Sequence, residues 1–257
     1  MIDMKRIHMR NLTGLTVLFY IVLFWLPLSI QAAEGLKLPQ TRVIFTAGEK
    51  STTAGIQNLS DKLYLVKAEV LNSTDQNAQE NNNAPFLVVP PLFRLEPQSQ
   101  YTVRILSQGT INLPDDRESV FYLSFLAIPS TTPPGKSDES AVTAQVSVGI
   151  QTMIKLFYRP ADLAMTAREA QNKLVFHTDK DTVVMENPTP YYLTLNTLNL
   201  KGQNIGLEKS GAMIAPFSKK TYHVNGKAEG AKYTVINDYG AVSKTYIQSI
   251  SASKEIP

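Results

Sequence analysis

Hydrophobic and polar residues alternate along most of this chain in the way that is typical of β-strands. Successive side chains on a strand point to opposite faces, so a strand with one buried face alternates in sequence. Turn residues such as Ala47-Gly48 and Asn225-Gly226 separate the runs at fairly even spacing. The runs are Arg42–Phe45, Thr53–Gln57, Tyr64–Leu71, Phe86–Val89, Phe93–Leu95, Tyr101–Leu106, Ser119–Ile128, Val142–Tyr158, Leu174–His177, Thr182–Glu186, Tyr191–Leu200, Lys219–His223, Lys232–Ile236 and Ser243–Ile250. The pattern predicts an all-β protein with little helix.

The runs divide into two groups at Arg159-Pro160-Ala161. Eight of these runs precede Pro160 and six follow it, which is enough for one sandwich on each side. The chain has 257 residues, a length that accommodates two cores. We therefore expect two β-sandwich domains, residues 34–159 and residues 160–257.

The segment Val142–Pro160 is the most informative of these runs, because it predicts one strand about three times the usual five or six residues. Its apolar residues share one face, and polar residues occupy the other. The apolar members are Val142, Ala144, Val146, Val148 and Ile150. Such a strand has more apolar edge than its own domain needs, so we expect another chain to cover it.

The first 33 residues have the pattern of a secretory signal peptide. Lys5, Arg6 and Arg10 precede an apolar stretch, and small residues follow at Ala32 and Ala33. We interpret residues 1–33 as a signal that is cleaved after Ala32 or Ala33, so we expect the mature protein to be exported. An uncleaved membrane anchor is the alternative, since Leu12–Ile30 is just long enough to cross a bilayer.

Charge and composition exclude several classes of function. Without residues 1–33 the chain keeps 22 basic and 21 acidic residues, so it is no polycation and we expect no binding to nucleic acid. It has no cysteine, which excludes disulfides, thiol chemistry and cysteine-ligated metals. His177 and His223 are isolated in sequence, and no nucleotide-binding or hydrolase motif is present. We expect no enzyme activity, no cofactor and no metal, and a hydrolase or metal carrier has little support.

Two cations lie within strongly apolar segments. Arg42 is in the sequence TRVIF and Lys155 is in MIKLFY. A lysine in a strand is usually solvated, with its stem lying along apolar surface. If the two segments are neighbours in one sheet, however, the cations could together bind an anion such as a terminal carboxylate. The sequence alone leaves both interpretations open.

Several segments, taken in order, resemble the periplasmic chaperones of chaperone–usher pili. They cover nearly the whole mature chain, and seven motifs in order make a specific match although each is weak alone. The segments are TRVIF (Thr41–Phe45), GEKS (Gly48–Ser51), VVPPLFRLEPQ (Val88–Gln98), DRESVFYL (Asp115–Leu123), IKLFYRP (Ile154–Pro160), ENPTPYYLT (Glu186–Thr194) and INDYG (Ile236–Gly240). The lack of cysteine favours the family's short-loop type, although the polar segment Ser130–Ser140 lengthens the hairpin before the long strand.

The resemblance implies two immunoglobulin-like β-sandwich domains in an L or boomerang arrangement with a cleft between them. It implies that Arg42 and Lys155 anchor the C-terminal carboxylate of a pilus subunit. By the same resemblance, Val146, Val148 and Ile150 are the core of a donor strand that completes the subunit's fold, with Ala144 and Val142 as extensions. A charged triad that fixes the angle between the domains is the remaining implied feature: Glu118, Arg159 and Asp238.

The implied function is that of a chaperone that binds, folds and caps pilus or fimbrial subunits by donor-strand complementation. The implied partners are those subunits and an outer-membrane usher, and a self-capping homodimer would cover the same apolar edge in the free protein. The alternative is a two-domain structural or adhesive surface protein whose exposed strand pairs with copies of itself.

Overall fold

The fold comes from a computed structural model, which describes residues 35–75, 82–108, 113–130, 147–179, 181–224 and 230–252. These residues form eighteen strands and two short helices. The strands are β1 (Leu36–Lys37), β2 (Arg42–Thr46), β3 (Ser51–Asn58), β4 (Tyr64–Leu71), β5 (Phe86–Val89), β6 (Leu92–Leu95), β7 (Gln100–Ser107), β8 (Ser119–Pro129), β9 (Ile150–Arg159), β10 (Val175–Asp179), β11 (Thr182–Asn187), β12 (Leu193–Leu200), β13 (Gln203–Asn204), β14 (Met213–Ile214), β15 (Ser218–His223), β16 (Ala231–Ile236), β17 (Tyr246–Gln248) and β18 (Ile250–Ala252). The helices are α1 (Ala167–Ala170) and α2 (Leu207–Ser210).

Strands β1 to β9 form the first sandwich. One of its sheets has the order β1-β3-β7-β5 and the other has the order β2-β9-β8-β4-β6. All pairings are antiparallel except that of β2 with β9, which is parallel. Alternation along the strands explains the core: in β4, Val66, Ala68 and Val70 are buried, whereas Leu65 and Lys67, which alternate with them, face solvent.

Strands β10 to β18 form the second sandwich, with its own core. One sheet has the order β15-β11-β10-β18, and the other has the order β13-β12-β16-β17 with β14 also on β12. Phe176 and Tyr233 are buried at the centre, with ring centroids 5.7 Å apart. The all-β expectation is thus confirmed, with one cluster of buried apolar residues in each sandwich.

Each sandwich has a turn that is built on a buried asparagine. In the second one, the buried Asn187 side chain accepts from the Thr189 N–H at 3.1 Å and donates to the Tyr191 carbonyl at 2.7 Å. Asn58 makes the same turn in the first sandwich, accepting from Ser60 and donating to Lys62. Because an asparagine side chain can replace a backbone partner, it fixes the chain reversal. The Asn187 turn sets the position of the residues that follow it, which face the first sandwich.

The prediction of a single strand from Val142 to Tyr158 is wrong for the residues that can be compared. Strand β9 begins at Ile150, and residues 147–149, which the structure describes, are not part of it. Val142, Ala144 and Val146 lie outside the described residues.

The proline at the end of β8 explains why the ladder stops there. The Ser130 N–H donates to the Leu63 carbonyl on the β4 side at 2.8 Å, so the preceding residue, Pro129, faces β9. Proline has no N–H to donate to Val148, which would be its partner, and the ladder ends with the pair Ala127 and Ile150.

The prediction of one strand over Ser243–Ile250 is also wrong. The chain forms β17, which pairs with β16, and then β18, which pairs in parallel with β10 in the opposite sheet. Alternation of side chains is the same on both sheets, so the sequence pattern does not reveal a strand that changes sheets.

Candidate functional site

Arg42 and Lys155 lie side by side in the first sandwich. Strands β2 and β9 are parallel neighbours, and Arg42 is the register partner of Lys155. The pairing of the two strands begins with these residues and continues to Thr46 and Arg159. Two cations on adjacent strands, with strands about 4.8 Å apart, repel one another unless an anion lies between them.

The Arg42 side chain is buried between the two sandwiches, with 8% of its surface exposed. Its Nη1 donates to the carbonyl of Ile236 in the second sandwich at 3.0 Å, and its guanidinium carbon lies 5.9 Å from the centre of the Phe157 ring. Its Nε is buried and has no hydrogen-bond partner within the described part of the chain. A buried donor without a partner is costly, so this arrangement lowers the stability of the free protein.

Lys155 is half-buried, and its charge is disfavoured there. Burial lowers the pKa of Lys155 below its ordinary value, and the neighbouring charge of Arg42 lowers it further. Burial also lowers the pKa of Arg42, against the opposing effect of Asp238 and Glu118. Among the residues that the structure describes, neither cation forms an ion pair with a carboxylate. The pair is therefore a cationic site whose charges are not neutralised by ion pairs within the described chain.

Glu118, Arg159 and Asp238 form a connected ionic cluster across the two sandwiches. Arg159 Nε donates to Glu118 Oε1 at 2.8 Å, and its Nη1 and Nη2 donate to Asp238 at 2.8 and 3.0 Å. The second oxygen of Glu118 accepts from the Tyr192 N–H at 2.9 Å. The cluster joins the last residue of β9 to the turn after β16.

The charges of this cluster depend on one another. Burial raises the pKa of the Glu118 carboxyl above its ordinary value, while Arg159 and the Tyr192 N–H act in the opposite direction. Burial lowers the pKa of Arg159, but Asp238 and Glu118 more than offset it, so the net direction is upward. Removing Arg159 would leave the buried Glu118 carboxylate without a cation, which typically costs about 3–5 kcal/mol.

Strand β9 has an open edge directly beside the cation pair. Since β2 pairs with it only from Lys155 onward, residues 150–154 have β8 on one side and no strand from the described residues on the other. The Ala47 N–H donates to the Arg159 carbonyl, so odd-numbered residues of β9 direct their main-chain groups toward this side. The main-chain groups of Gln151 and Met153 therefore face the open edge.

The described part of the proposed donor segment is exposed. Val148 is 70% exposed and Ile150 is 46% exposed, although Ile150 pairs with the fully buried Ala127. Val142, Ala144 and Val146 precede these residues outside the described part of the chain. Val148 and Ile150 thus extend the inner face of the sheet that contains β9 beyond the core of the first sandwich.

Sequence reasoning missed the contacts that join the sandwiches around Arg42. Phe157, on the outer face of β9, is buried against Tyr192, with ring centroids 5.6 Å apart. Gly240, with a φ of 81°, packs so closely on Thr41 that a Cβ there would lie 2.6 Å from its hydroxyl. The one available signal was Phe157 itself, because an apolar residue on the polar face of a strand indicates a second contact surface.

Two kinds of feature do not occur among the described residues. These residues contain no group of three or more His, Cys, Asp or Glu side chains that could hold a metal ion. None of the helices formed by these residues is long and apolar enough to cross a membrane. The stretch Leu12–Ile30, for which a membrane anchor was the alternative, lies outside them.

Comparison with known proteins covers both sandwiches. Residues 35–164 match the family described as "Pili and flagellar-assembly chaperone, PapD N-terminal domain", and residues 169–247 match "Pili assembly chaperone PapD, C-terminal domain". Chaperone protein HifB of Haemophilus influenzae is 36% identical over 232 residues, which cover 88% of this chain and 93% of HifB. Chaperone protein FimC of Escherichia coli K12 is 35% identical over 216 residues, covering 83% of each chain.

Solved structures show the same relationship. The chain is similar to one in the structure of "Salmonella enterica SafA pilin in complex with the SafB chaperone", with a TM-score of 0.70, 29% identity and coverage of 85% of this chain and 98% of the other. The Escherichia coli chaperone DraB gives a TM-score of 0.67 at 31% identity, with coverage of 85% and 97%. The two sandwiches, the cation pair at a free strand edge and these matches lead to one conclusion: the chain belongs to the PapD family of pilus-assembly chaperones.

Proposed function

We propose that this protein binds pilus or fimbrial subunits in the periplasm, completes their fold with its own strand and delivers them to an outer-membrane usher. It acts by binding, without catalysis. Its membership of a family of pilus-assembly chaperones supports this role. The observation that carries the proposal is the pair Arg42 and Lys155, whose charges have no carboxylate partner in the described chain and which stand where the open edge of β9 begins.

The ligand of the cation pair is the C-terminal carboxylate of the subunit. A carboxylate beside the two side chains would accept from the Lys155 ammonium and from the Arg42 guanidinium, neither of which has a carboxylate partner in the described structure. It would also remove the repulsion between the two cations. Charge-assisted hydrogen bonds of this kind contribute roughly 1.5–3 kcal/mol each.

The position of the anchor at one end of the open edge determines the direction of the bound strand. A subunit strand with its C-terminus at Arg42 lies beside residues 150–154, in line with β2. Like β2, it therefore runs parallel to β9. Its main chain would pair with Gln151 and Met153, and such pairing does not depend on the subunit's sequence. The carboxylate sets the register, because a slip of one residue would reverse every side chain.

Alternate side chains of the donor segment would fill the subunit's groove. Val148 and Ile150 are exposed and adjoin the open edge, and Val146, Ala144 and Val142 extend the same sequence pattern. Burial of one valine or isoleucine side chain contributes roughly 1.5–3 kcal/mol. Two or three such side chains therefore match the contribution of the carboxylate anchor.

The remaining assignments follow from this function. Glu118, Arg159 and Asp238 hold the two domains, residues 34–159 and 160–257, at the angle at which Arg42 reaches the Ile236 carbonyl. Residues 1–33 are a signal peptide that is removed on export, after which the protein does not insert into a membrane. A self-capping homodimer protects the open edge when no subunit is bound.

The alternative function, a self-associating surface protein, finds no support among the relatives, which are named chaperones.

Co-expression with the pilus subunit of the same gene cluster tests the proposal. Arg42→Ala and Lys155→Ala should each reduce the soluble periplasmic complex to a trace, whereas the control Lys67→Ala, on an exposed cation of β4 that pairs with Glu69, should leave it unchanged. Normal yields of complex with both anchor variants would overturn the proposal.

A further inference from the structure

Phe217 has an environment that its own sandwich does not explain. It lies between β14 and β15, is 48% exposed and has a left-handed backbone with a φ of 51°. A bulky side chain rarely adopts this conformation, because its Cβ approaches the following carbonyl oxygen. The Phe217 N–H donates to the Thr189 carbonyl at 3.3 Å, a contact that any residue except proline could make. Some other interaction must favour an aromatic ring at this position.

Arg117 of the first sandwich covers that ring. Its guanidinium carbon lies 4.8 Å from the centre of the Phe217 ring, within the range of cation–π contacts. Asp116 accepts hydrogen bonds from Arg117 Nε at 2.9 Å and from Nη2 at 2.7 Å. This two-point contact fixes the plane of the guanidinium. The three side chains therefore form one stacked unit that spans the two sandwiches.

This unit lies beside the ionic cluster but does not share its residues. Arg117 immediately precedes Glu118, whose N–H donates to the Pro190 carbonyl and whose carboxylate binds Arg159. The sandwiches also meet where Arg42 donates to the Ile236 carbonyl and where Phe157 contacts Tyr192. The stack of Arg117 on Phe217 adds a further contact between them, through residues that none of the other contacts uses.

We propose that Asp116, Arg117 and Phe217 form a second brace between the two sandwiches and fix the hinge angle together with the ionic cluster. The angle matters because Arg42 reaches across it to the Ile236 carbonyl, while Lys155, its partner in binding, lies wholly on the first sandwich. Arg117 and Phe217 are thus positioning residues for the anchor. Their effect on ligand binding rests on the proposed function, but the brace itself does not.

Distance measurement between spin labels on the free protein tests the brace. The chain has no cysteine, so Lys62→Cys and Lys232→Cys, at exposed positions on the first and second sandwich, accept one label each. Phe217→Gly removes the ring and suits a positive φ, so it should not lower resistance to urea. Lys201→Gly is the matched control, because Lys201 also has a positive φ, of 57°, at a turn between β12 and β13. Arg117→Gln removes the other half of the stack.

The brace predicts that the distance between the labels at positions 62 and 232 has a broader distribution in Phe217→Gly and in Arg117→Gln than in the parent protein. The variant with both substitutions should show no further broadening, and Lys201→Gly should show no change. The brace also predicts about two- to fivefold weaker binding of a short peptide of alternating Thr and Val with a free C-terminal carboxylate. Distributions identical to that of the parent protein in both variants would overturn the brace. A parent protein that binds no peptide would instead overturn the proposed function, and the distances would still decide the brace.

Discussion

Arg42 and Lys155 are register partners on adjacent parallel strands, and no carboxylate within the described chain forms an ion pair with either of them. One of the two, Arg42, also keeps a buried Nε without a hydrogen-bond partner there. Proteins seldom bury charge without compensation. The arrangement therefore costs stability in the free protein, and a carboxylate ligand would recover it.

This cost predicts that removing one cation stabilises the free protein. Lys155→Met keeps the apolar stem and removes the repulsion with Arg42. After allowance for solvent screening of a half-buried group, we expect the free energy of unfolding to rise by about 0.5–1 kcal/mol, while binding of the carboxylate peptide is lost. Urea denaturation measures the first effect, with Lys67→Met on the solvent face of β4 as control. A lower stability for Lys155→Met would show that the cation pair is not under strain.

Binding should also depend on pH through Lys155. Its pKa lies below the ordinary value of 10.5 because of burial and the charge of Arg42. The charged form is disfavoured in the folded protein, so stability should rise as pH increases through the lowered pKa. Binding of a carboxylate needs the charged form and should fall over the same range, before an ordinary lysine would titrate. Titration calorimetry in alkaline buffers up to pH 10.5 measures this, and an affinity that stays constant over that range contradicts a role for the Lys155 charge.

The donor segment should tolerate charge on one face only. Val148→Asp and Ile150→Asp place a carboxylate where an apolar groove is expected, and each should lower subunit affinity by about 2–3 kcal/mol while the chaperone stays folded. Ser147→Asp, on the opposite face of the same exposed segment, should have little effect. Pull-down of subunit from periplasmic extracts compares the three variants. Equal losses in all three would mean that charge, and not burial of apolar side chains, determines binding.

The open edge of β9 can be tested with proline, which removes a main-chain N–H. Gln151 directs its N–H to the open edge, so Gln151→Pro should leave the fold intact and lower subunit affinity by about 1 kcal/mol through one lost hydrogen bond. Thr152 directs its N–H to β8, so Thr152→Pro should instead destabilise the chaperone. Circular dichroism melts together with binding measurements separate the two effects. If Gln151→Pro destabilised the chaperone and Thr152→Pro weakened subunit binding, the subunit could not lie at the open edge of β9.

Much of the fold was predictable from alternation alone. The bounds of β4 and β5 agree with the predicted Tyr64–Leu71 and Phe86–Val89, because each strand has one buried face and clear turn residues beside it. The two-residue strands such as β1 and β13 are too short to carry a pattern. The change of sheet between β17 and β18 leaves no mark either, because both strands alternate in the same way.

The site was predictable only in part. A cation within an apolar strand draws attention to Arg42 and Lys155, but their contact depends on a parallel pairing of strands that are distant in sequence, which no local pattern encodes. The contact of Arg117 with Phe217 depends on how two separately folded sandwiches meet. Such contacts between domains become visible only in the three-dimensional structure.

The central claim is that the cation pair recognises a terminal carboxylate, and one titration tests it directly. The short Thr and Val peptide is compared with its C-terminally amidated form on the parent protein, Arg42→Ala and Lys155→Ala. We predict that the parent protein binds the free acid at least about tenfold more tightly than the amide, and that both variants lose this preference. Equal affinity of the parent protein for acid and amide would contradict the claim.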